Sequence, residues 1–250
     1  MEKPIIEISH LTKQFRLLNR RYGLRSIVLH LFDYLYDLRH PKMFTALNDI
    51  SFTVRRGERI GLTGPNGCGK TTLLSVIGGV YHSYQGSVSV RGRVSMMLAL
   101  GAGMHPELSG RENIVLNGVL QGKTRRQMLA LMDDIIDFAD IGEFIDAPLY
   151  QYSSGMKARL GFGVITAIEP EILLVDEVLA VGDAEFKKKC ETRIAGLLAK
   201  GCTLFLVSHN LNDIRKNCDR VIRLDHGRIV ADGQVSEVLP VTPASDKGTP

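Results

Sequence analysis

The fold of this chain is decided by the stretch Gly64-Pro65-Asn66-Gly67-Cys68-Gly69-Lys70-Thr71-Thr72. It fits the pattern Gly-x4-Gly-Lys-Ser/Thr of a phosphate-binding loop, or P-loop. An apolar stretch at 58–63, short enough for a buried strand, precedes it, and a helical pattern follows it. In this order of elements, backbone N–H groups and the positive end of a helix dipole face a phosphate. A glycine-rich turn followed by a chance Lys-Thr is the alternative, and the flanking strand and helix argue against it.

The side chains of the P-loop predict which nucleotide atoms it contacts. Lys70 is expected to reach the β- and γ-phosphates of a nucleoside triphosphate, and Thr71 to hold Mg²⁺ through its hydroxyl. The residues predicted to contact the nucleotide here are Gly64, Pro65, Asn66, Gly67, Cys68, Gly69, Lys70, Thr71 and Thr72.

Composition is that of a soluble globular chain with a full core. Of 250 residues, 44% are hydrophobic and 23% are charged. The net charge of +4 is too small to indicate nucleic acid, so no nucleic-acid partner is expected. The 4 cysteines form no CxxC pair, which favours a reducing compartment. Neither a signal peptide nor an apolar run of membrane-spanning length is present in the sequence, so a membrane role would require a partner that spans the membrane.

Apolar patterns along the chain predict alternating strands and helices around an all-helical block. This alternation indicates an α/β fold with a mostly parallel sheet, interrupted by a helical subdomain. Strands are predicted at 4–9, 48–54, 58–63, twice within 87–98, at 172–175 and 203–208, and as a hairpin at 221–224 and 228–231; helices are predicted at 25–38, 72–79, 111–120, 124–139, 154–168, 184–200 and 211–217.

Two of the predicted buried strands end in polar side chains. Strand 172–175 continues into Asp176 and Glu177, and strand 203–208 is followed by His209. Asp176 is expected to bind Mg²⁺ through water, and Glu177 to polarise the water that attacks the γ-phosphate. His209 lies where a γ-phosphate sensor would lie. Adjacent acids can also simply end a strand, and a lone histidine at a strand end is often a solvated or capping residue.

Taken together, these motifs resemble the nucleotide-binding domain of an ABC transporter, over residues 4–239. The resemblance implies an ATPase with a P-loop NTPase core, an antiparallel β subdomain and a helical subdomain at about 100–168. It assigns the switch histidine to His209 and the D-loop to 180–183, which includes Asp183. It also implies that two copies enclose two ATP molecules, each P-loop facing the signature residues Ser153, Ser154 and Gly155 of the other copy.

Where the sequence departs from the common family pattern, it resembles one branch of the family. That branch comprises the exporters of O-antigen, capsular polysaccharide or teichoic acid. The signature reads Tyr-Ser-Ser-Gly-Met at 152–156, where the family has Leu-Ser-Gly-Gly-Gln. The region 94–109 lacks the usual glutamine, and Ala99 stands where the branch commonly has an acid. The implied function is to drive lipid-linked polysaccharide across the cytoplasmic membrane, from its cytoplasmic face, with an integral membrane permease as partner.

A basic, aromatic insertion at 16–43 also resembles that branch, in which it lies near the entrance of the membrane partner. Its cations and rings suit a lipid-linked pyrophosphate substrate. Equally, its apolar stripe could pack on the domain while its arginines are solvated.

The aromatic residue that stacks on adenine is assigned to Phe15, with Tyr22 and Phe44 as alternatives. The tail at 240–250 is predicted to be disordered and too short for the carbohydrate-binding domain of many relatives.

Other functions stay open at this point. They are an ABC ATPase for another substrate, including an importer subunit, a soluble ABC ATPase that acts on nucleic acid or the ribosome, and a P-loop kinase. Soluble members usually carry two such domains or a long coiled coil, and the chain has neither. A kinase would leave the signature and His209 unexplained.

Overall fold

The computed structural model describes residues 3–17, 42–97, 103–176, 183–208 and 210–239. The predicted helix at 25–38, most of the basic insertion and the tail at 240–250 lie outside these ranges. So do Ala99, Glu177, His209 and residues 180–182 of the predicted D-loop.

A small antiparallel sheet forms one layer of the fold, in the order β2-β1-β4. Strand β1 was predicted to end at Ser9 but continues to Leu17. The strand is irregular at His10, whose φ of 52° is left-handed, and Asp49 on the paired strand has a φ of 56°. Such bulges interrupt the alternation of apolar and polar residues, so the pattern stops at the bulge although the pairing continues. The three strands are β1 (Ile6–Leu17), β2 (Lys42–Val54) and β4 (Gln85–Val90).

The central sheet has six strands in the order β5-β6-β7-β3-β8-β9, and only β9 runs antiparallel to its neighbour. All residues of β7 are buried, as expected for a strand covered on both faces. The register brings Leu62 beside Val207, and Val207 beside Asp176. The strands are β3 (Arg59–Thr63), β5 (Val94–Met96), β6 (Ile172–Asp176), β7 (Thr203–Val207), β8 (Arg220–Asp225) and β9 (Arg228–Gln234).

Helices cover the central sheet and form the predicted helical block. Two of the longer helices begin with capping boxes, in which Ser109 pairs with Glu112 and Thr124 with Gln127. The helices are α1 (Lys70–Ile77), α2 (Gly110–Leu120), α3 (Arg125–Ala139), α4 (Ser154–Ala167), α5 (Ala184–Ala199), α6 (Leu211–Asn217) and α7 (Val235–Val238), with 3-10 turns at Gly142–Asp146 and Leu149–Gln151. The short α7 and both 3-10 turns were not predicted, because segments of three to five residues carry too little periodicity.

Three apolar clusters form the core of the described residues. One lies between the small sheet, the central sheet and α1, and a second lies on the opposite face of the central sheet against α5. The third joins α2, α3 and α4, so the helical block has a core of its own. These layers confirm the predicted α/β class with an antiparallel β subdomain and an inserted helical subdomain. Within the described ranges, no helix combines the length and the hydrophobicity that a membrane span requires.

Candidate nucleotide site

The backbone of the P-loop is hydrogen-bonded to the turn between β8 and β9, and that turn is itself hydrogen-bonded to strand β2. The N–H of Gly227, in the β8–β9 turn, donates to the carbonyl of Cys68 over 3.0 Å, and the N–H of Asn48 donates to the carbonyl of Gly227 over 2.8 Å. Gly64 has a φ of 140°, and a Cβ there would lie 2.1 Å from the carbonyl oxygen of Leu224. The loop therefore needs a glycine where it crosses the end of β8. No motif predicts this support, because the β8–β9 turn lies far from the loop along the chain.

Lys70 is buried at the first position of α1, with 9% of its surface exposed. Its Nζ donates to the carbonyl oxygens of Gly64 over 2.8 Å and Pro65 over 3.0 Å. The charge of the amine is therefore held inside the ring of the P-loop by the loop's own carbonyl groups. A phosphate that enters the loop meets this cation together with the N–H groups at the start of α1.

Thr71 and Asp176, the two residues predicted to hold Mg²⁺, lie side by side. Oγ1 of Thr71 donates to Oδ2 of Asp176 over 2.9 Å, across 105 positions of sequence. Thr71 comes from α1 and Asp176 from the end of β6. A hydroxyl and a carboxylate at this distance offer the oxygen ligands that Mg²⁺ prefers, so this pair of side chains fits the ion.

The carboxyl ends of three parallel strands meet at the same edge of the sheet. Because Leu62, Val207 and Asp176 share this register, the residues after them start from neighbouring points. Glu177 and His209 each follow one of these ends in the sequence, although both lie outside the described residues. Ser208 is held by two polar contacts, since its Oγ accepts from the N–H of Asn210 over 3.0 Å and lies 3.4 Å from Oδ2 of Asp213.

An open cavity of about 530 Å³ extends from the P-loop toward strand β2. Phe44 lines it and is half-exposed, whereas Phe15, the predicted adenine contact, is not among the described residues that line it. The Phe15 ring instead meets Tyr81 edge-on, with centroids 5.3 Å apart. Phe15 and Phe44 are nevertheless direct partners across β1 and β2, so their side chains share one face of the small sheet. The described residues around the cavity are Phe44, Ala46, Asn66, Gly67, Gly69, Lys70, Thr71, Thr72 and Asp176.

The signature residues lie at the exposed start of α4. Oγ of Ser153 accepts from the N–H of Met156 over 3.2 Å and caps the helix, while Ser154 and Gly155 form its first turn. None of the three is among the described residues that line the P-loop cavity. Tyr152, just before them, is buried, and its hydroxyl donates to the carbonyl of Phe144 over 2.5 Å. Burial, together with the nearby charge of Asp146, raises the pKa of this phenol.

Asp183, assigned to the nucleotide site through the D-loop, has both carboxylate oxygens engaged inside the chain. Oδ1 accepts from the N–H of Phe186 over 2.9 Å and caps α5, and Oδ2 accepts from Arg159 over 2.7 Å. The capping bond, and then the charge of Arg159, lower the pKa of this carboxyl. Sequence reasoning missed Arg159, because an arginine inside a helix gives no indication of which distant acid it contacts.

A larger groove of about 770 Å³ lies away from the P-loop, between α3 and α5. Its floor includes Phe138 and Leu197, and its rim carries the ion pairs Asp134–Arg193 and Glu169–Lys200. No P-loop residue lines this groove. Size alone therefore does not identify the nucleotide site, and the chemistry of the lining residues does.

Comparison with known proteins agrees with this geometry. The family model described as ABC transporter matches residues 47–180. An O-antigen export system ATP-binding protein, RfbB of Klebsiella pneumoniae, is 44% identical over 94% of this chain and 96% of its own length. A teichoic acids export ATP-binding protein, TagH of Staphylococcus saprophyticus, is 39% identical over 94% of this chain and 86% of its own length.

Solved structures share the fold at lower identity. The structure titled "Structure of ATP binding subunit of ABC transporter" has a TM-score of 0.73 at 20% identity, over 94% of this chain and 91% of that one. The ATP-binding cassette MJ0796, solved as a dimer with ADP and Pi, has a TM-score of 0.69 at 20% identity, over 92% of this chain and 98% of that one. The family match and the close, full-length relatives show that this chain belongs to the ABC transporter family and is one of its ATP-binding, ATP-hydrolysing subunits.

Proposed function

We propose that the chain powers an exporter of lipid-linked polysaccharide, of the O-antigen, capsule or teichoic acid kind. The observation that carries this proposal is the end-to-end similarity to RfbB and TagH, whose names specify O-antigen and teichoic acid export. In this role the chain acts at the cytoplasmic face of the membrane, bound to an integral membrane permease, and the lipid-linked glycan is the substrate of the complex.

Residues of the P-loop bind the triphosphate in this proposal. Lys70 leaves the carbonyls of Gly64 and Pro65 to bond the β- and γ-phosphates, which supply stronger, charged acceptors. Thr71 and Asp176 hold Mg²⁺, which when bound offsets the negative charge of the phosphates. Their direct hydrogen bond of 2.9 Å supports this assignment, because both oxygens already face one point.

Hydrolysis requires a base and a γ-phosphate contact, which we assign to Glu177 and His209. Glu177 follows Asp176, so it starts from the same sheet edge as the P-loop. As a carboxylate it accepts a proton from the attacking water, and His209 contacts the γ-phosphate. The aligned ends of β3, β6 and β7 support both roles.

A second copy of the chain completes each site in this proposal. Ser153, Ser154 and Gly155 lie at an exposed helix N-terminus, where N–H groups and the helix dipole favour an anion. They do not line the P-loop cavity of their own chain. The γ-phosphate bound by one copy is therefore contacted by the signature of the other. The dimeric form of MJ0796, a cassette of the same fold, is compatible with this arrangement.

Complementation of a strain that lacks the chain tests the transport function. Wild type should restore surface polysaccharide, whereas Lys70→Ala should leave lipid-linked glycan inside the cell.

Reversing the charges of Arg20, Arg21 and Arg25 should impair export more than ATPase activity if the insertion contacts the glycan lipid. Restored export by Lys70→Ala, or unchanged glycan in the deletion strain, would point to an ABC ATPase for another substrate or to a soluble, non-transport ATPase.

A further inference from the structure

The side chain of Tyr152 is buried directly before the signature residues. Only 5% of its surface is exposed, whereas Ser153 and Ser154 after it are exposed. Its hydroxyl donates to the carbonyl of Phe144 over 2.5 Å, and the two rings meet edge-on with centroids 6.4 Å apart. Its backbone N–H donates to the carbonyl of Leu149 over 3.1 Å. Both the backbone and the side chain of this residue are therefore held in place.

The Tyr152 hydroxyl lies where three segments of the helical block meet. One is the 3-10 turn Gly142–Asp146, which supplies the accepting carbonyl. Another is the first turn of α2, since a Cβ at Gly110 would lie 2.4 Å from the hydroxyl oxygen. The third is the segment that leads into the signature. Because residue 110 is a glycine, the hydroxyl can lie against the backbone of α2.

Backbone hydrogen bonds join the segment before the signature to the loop before α2. The N–H of Leu149 donates to the carbonyl of Leu108 over 3.0 Å, and the N–H of Tyr150 donates to the carbonyl of Pro106 over 2.9 Å. Asn113, which is completely buried on α2, donates through Nδ2 to the same carbonyl of Leu108 over 3.0 Å. The segment that ends at Tyr152 therefore rests on a loop that is itself bonded to a buried side chain.

The signature begins one residue after this anchor, where Oγ of Ser153 accepts from the N–H of Met156 and caps α4. We propose that Tyr152 is a positioning residue, whose hydroxyl fixes the signature at the start of α4. Tyr152 is not among the described residues that line the P-loop cavity, so it acts through Ser153 and the first turn of the helix. The inference rests on the proposed contact of the signature with the γ-phosphate bound by a second copy.

Two other residues provide matched controls. Tyr150 is 57% exposed, and its hydroxyl oxygen accepts from Nε2 of the neighbouring Gln151 over 3.4 Å. Tyr150→Phe therefore removes the same chemical group near the signature without removing a buried hydrogen bond. Ile135 on α3 is completely buried in the same apolar cluster as Tyr152. Ile135→Val should lower the stability of this cluster while every hydrogen bond of Tyr152 is kept.

The experiment measures the ATP-dependent dimer of the full-length chain in the Glu177→Gln background, which should keep ATP bound. Analytical ultracentrifugation in ATP and Mg²⁺ gives the dimer dissociation constant. Tyr152→Phe keeps the ring and removes the hydrogen bond, so each signature contact should weaken by about threefold to tenfold. Because a symmetric dimer contains the contact twice, we expect the dissociation constant to rise by roughly tenfold to a hundredfold. Tyr150→Phe and Ile135→Val should each stay within about twofold.

The ATPase rate of the chain with Glu177 intact gives a second readout. Tyr152→Phe should lower this rate at low protein concentration, and raising the protein concentration should restore most of it. ATP affinity of the monomer should stay within about twofold, because no residue of the P-loop cavity is changed. A role limited to stability would lower the melting temperature without changing how the rate depends on protein concentration.

The role of Tyr152 is refuted by a dimer dissociation constant for Tyr152→Phe within about twofold of the Glu177→Gln background, or by an equal rise in either control. If the Glu177→Gln background binds ATP but forms no dimer, the two-copy arrangement itself fails, and the role of Tyr152 fails with it. If Glu177→Gln retains turnover, an ATP analogue that cannot be hydrolysed replaces ATP. The result for Tyr152 then does not depend on which residue is the base.

Discussion

Oγ1 of Thr71 donates a hydrogen bond to Oδ2 of Asp176 over 2.9 Å, and so joins the first turn of α1 to the end of β6. The helix α1 and the strand β6 both pack in the core, which holds the backbones of the two residues next to each other. The pair therefore forms a preorganised set of oxygen ligands rather than one assembled by the nucleotide.

Asp176→Asn should abolish the effect of Mg²⁺ on ATP binding. The amide oxygen can still accept from Thr71, so the fold should survive, but the negative charge that attracts the cation is lost. We expect ATP affinity in EDTA to stay within about twofold of wild type, and the gain in affinity on adding Mg²⁺ to disappear. Thr71→Ser, which keeps the hydroxyl, is the control and should retain the gain. A full Mg²⁺ response in Asp176→Asn would refute the metal assignment.

Lys70→Ala should weaken ATP binding by roughly tenfold to a hundredfold, the range expected when hydrogen bonds to a charged group are removed. The two carbonyl contacts of Nζ, to Gly64 and Pro65, are also lost in this variant. A melting curve must therefore accompany titration with a fluorescent ATP analogue. Unchanged affinity in a folded variant would contradict the phosphate-binding role of the loop.

Glu177→Gln should leave ATP binding intact and stop turnover. Glutamine keeps the shape of the side chain but cannot accept the proton of the attacking water. Because ATP then persists, we expect an ATP-dependent dimer to accumulate, which size-exclusion chromatography with ATP and with ADP would detect. Hydrolysis near the wild-type rate would remove the assignment of the base.

Two glycines of the P-loop should respond differently to alanine. At Gly64, with φ 140°, a Cβ would lie 2.1 Å from the carbonyl oxygen of Leu224, a backbone atom that cannot rotate away. At Gly67, with φ 76°, no atom of the described residues beyond its chain neighbours lies within 4 Å of that position. Gly67→Ala should cost only the strain of a left-handed residue, about 1–2 kcal/mol. Gly64→Ala should cost more, and chemical denaturation measures both. Equal losses would show that the loop relaxes away from β8.

Local patterns predicted the architecture well where apolar residues follow a clear helical period or form a continuous buried run. The helix Leu211–Asn217 was predicted to the residue, and the strand Ile172–Asp176 to within one residue. The extension of β1 beyond His10 was not predicted, because a left-handed bulge ends the alternation without ending the hydrogen bonds. Pairing depends on the partner strand, which lies elsewhere in the chain.

In the nucleotide site, too, the contacts that local motifs specify were predicted, and contacts between distant segments outside the motifs were not. The Thr71–Asp176 pair was expected from two motifs, since each motif specifies its own strand and helix. The support of Cys68 by Gly227 and the contact of Arg159 with Asp183 were not, because each joins residues whose spacing follows no motif. Contacts of this kind depend on how helices and turns pack, and a single sequence carries no periodic signal for them.

Two aromatic side chains of the small sheet, Phe15 and Phe44, are candidates for stacking on the adenine base, because the cavity extends from the P-loop toward strand β2. Phe15 and Phe44 are direct partners across β1 and β2 and share one face of the small sheet, and Phe44 lines the cavity. We expect a ring of this pair to stack on the base, a contact that contributes about 1–3 kcal/mol when removed by alanine. Phe15→Ala, Phe44→Ala and the double variant should be titrated with ATP and with tripolyphosphate, which has no base. The double variant should lose about tenfold in ATP affinity and nothing for tripolyphosphate. The single variant with the larger ATP-specific loss identifies the stacking ring, and equal losses for both ligands would show that the pair acts through the fold of the P-loop.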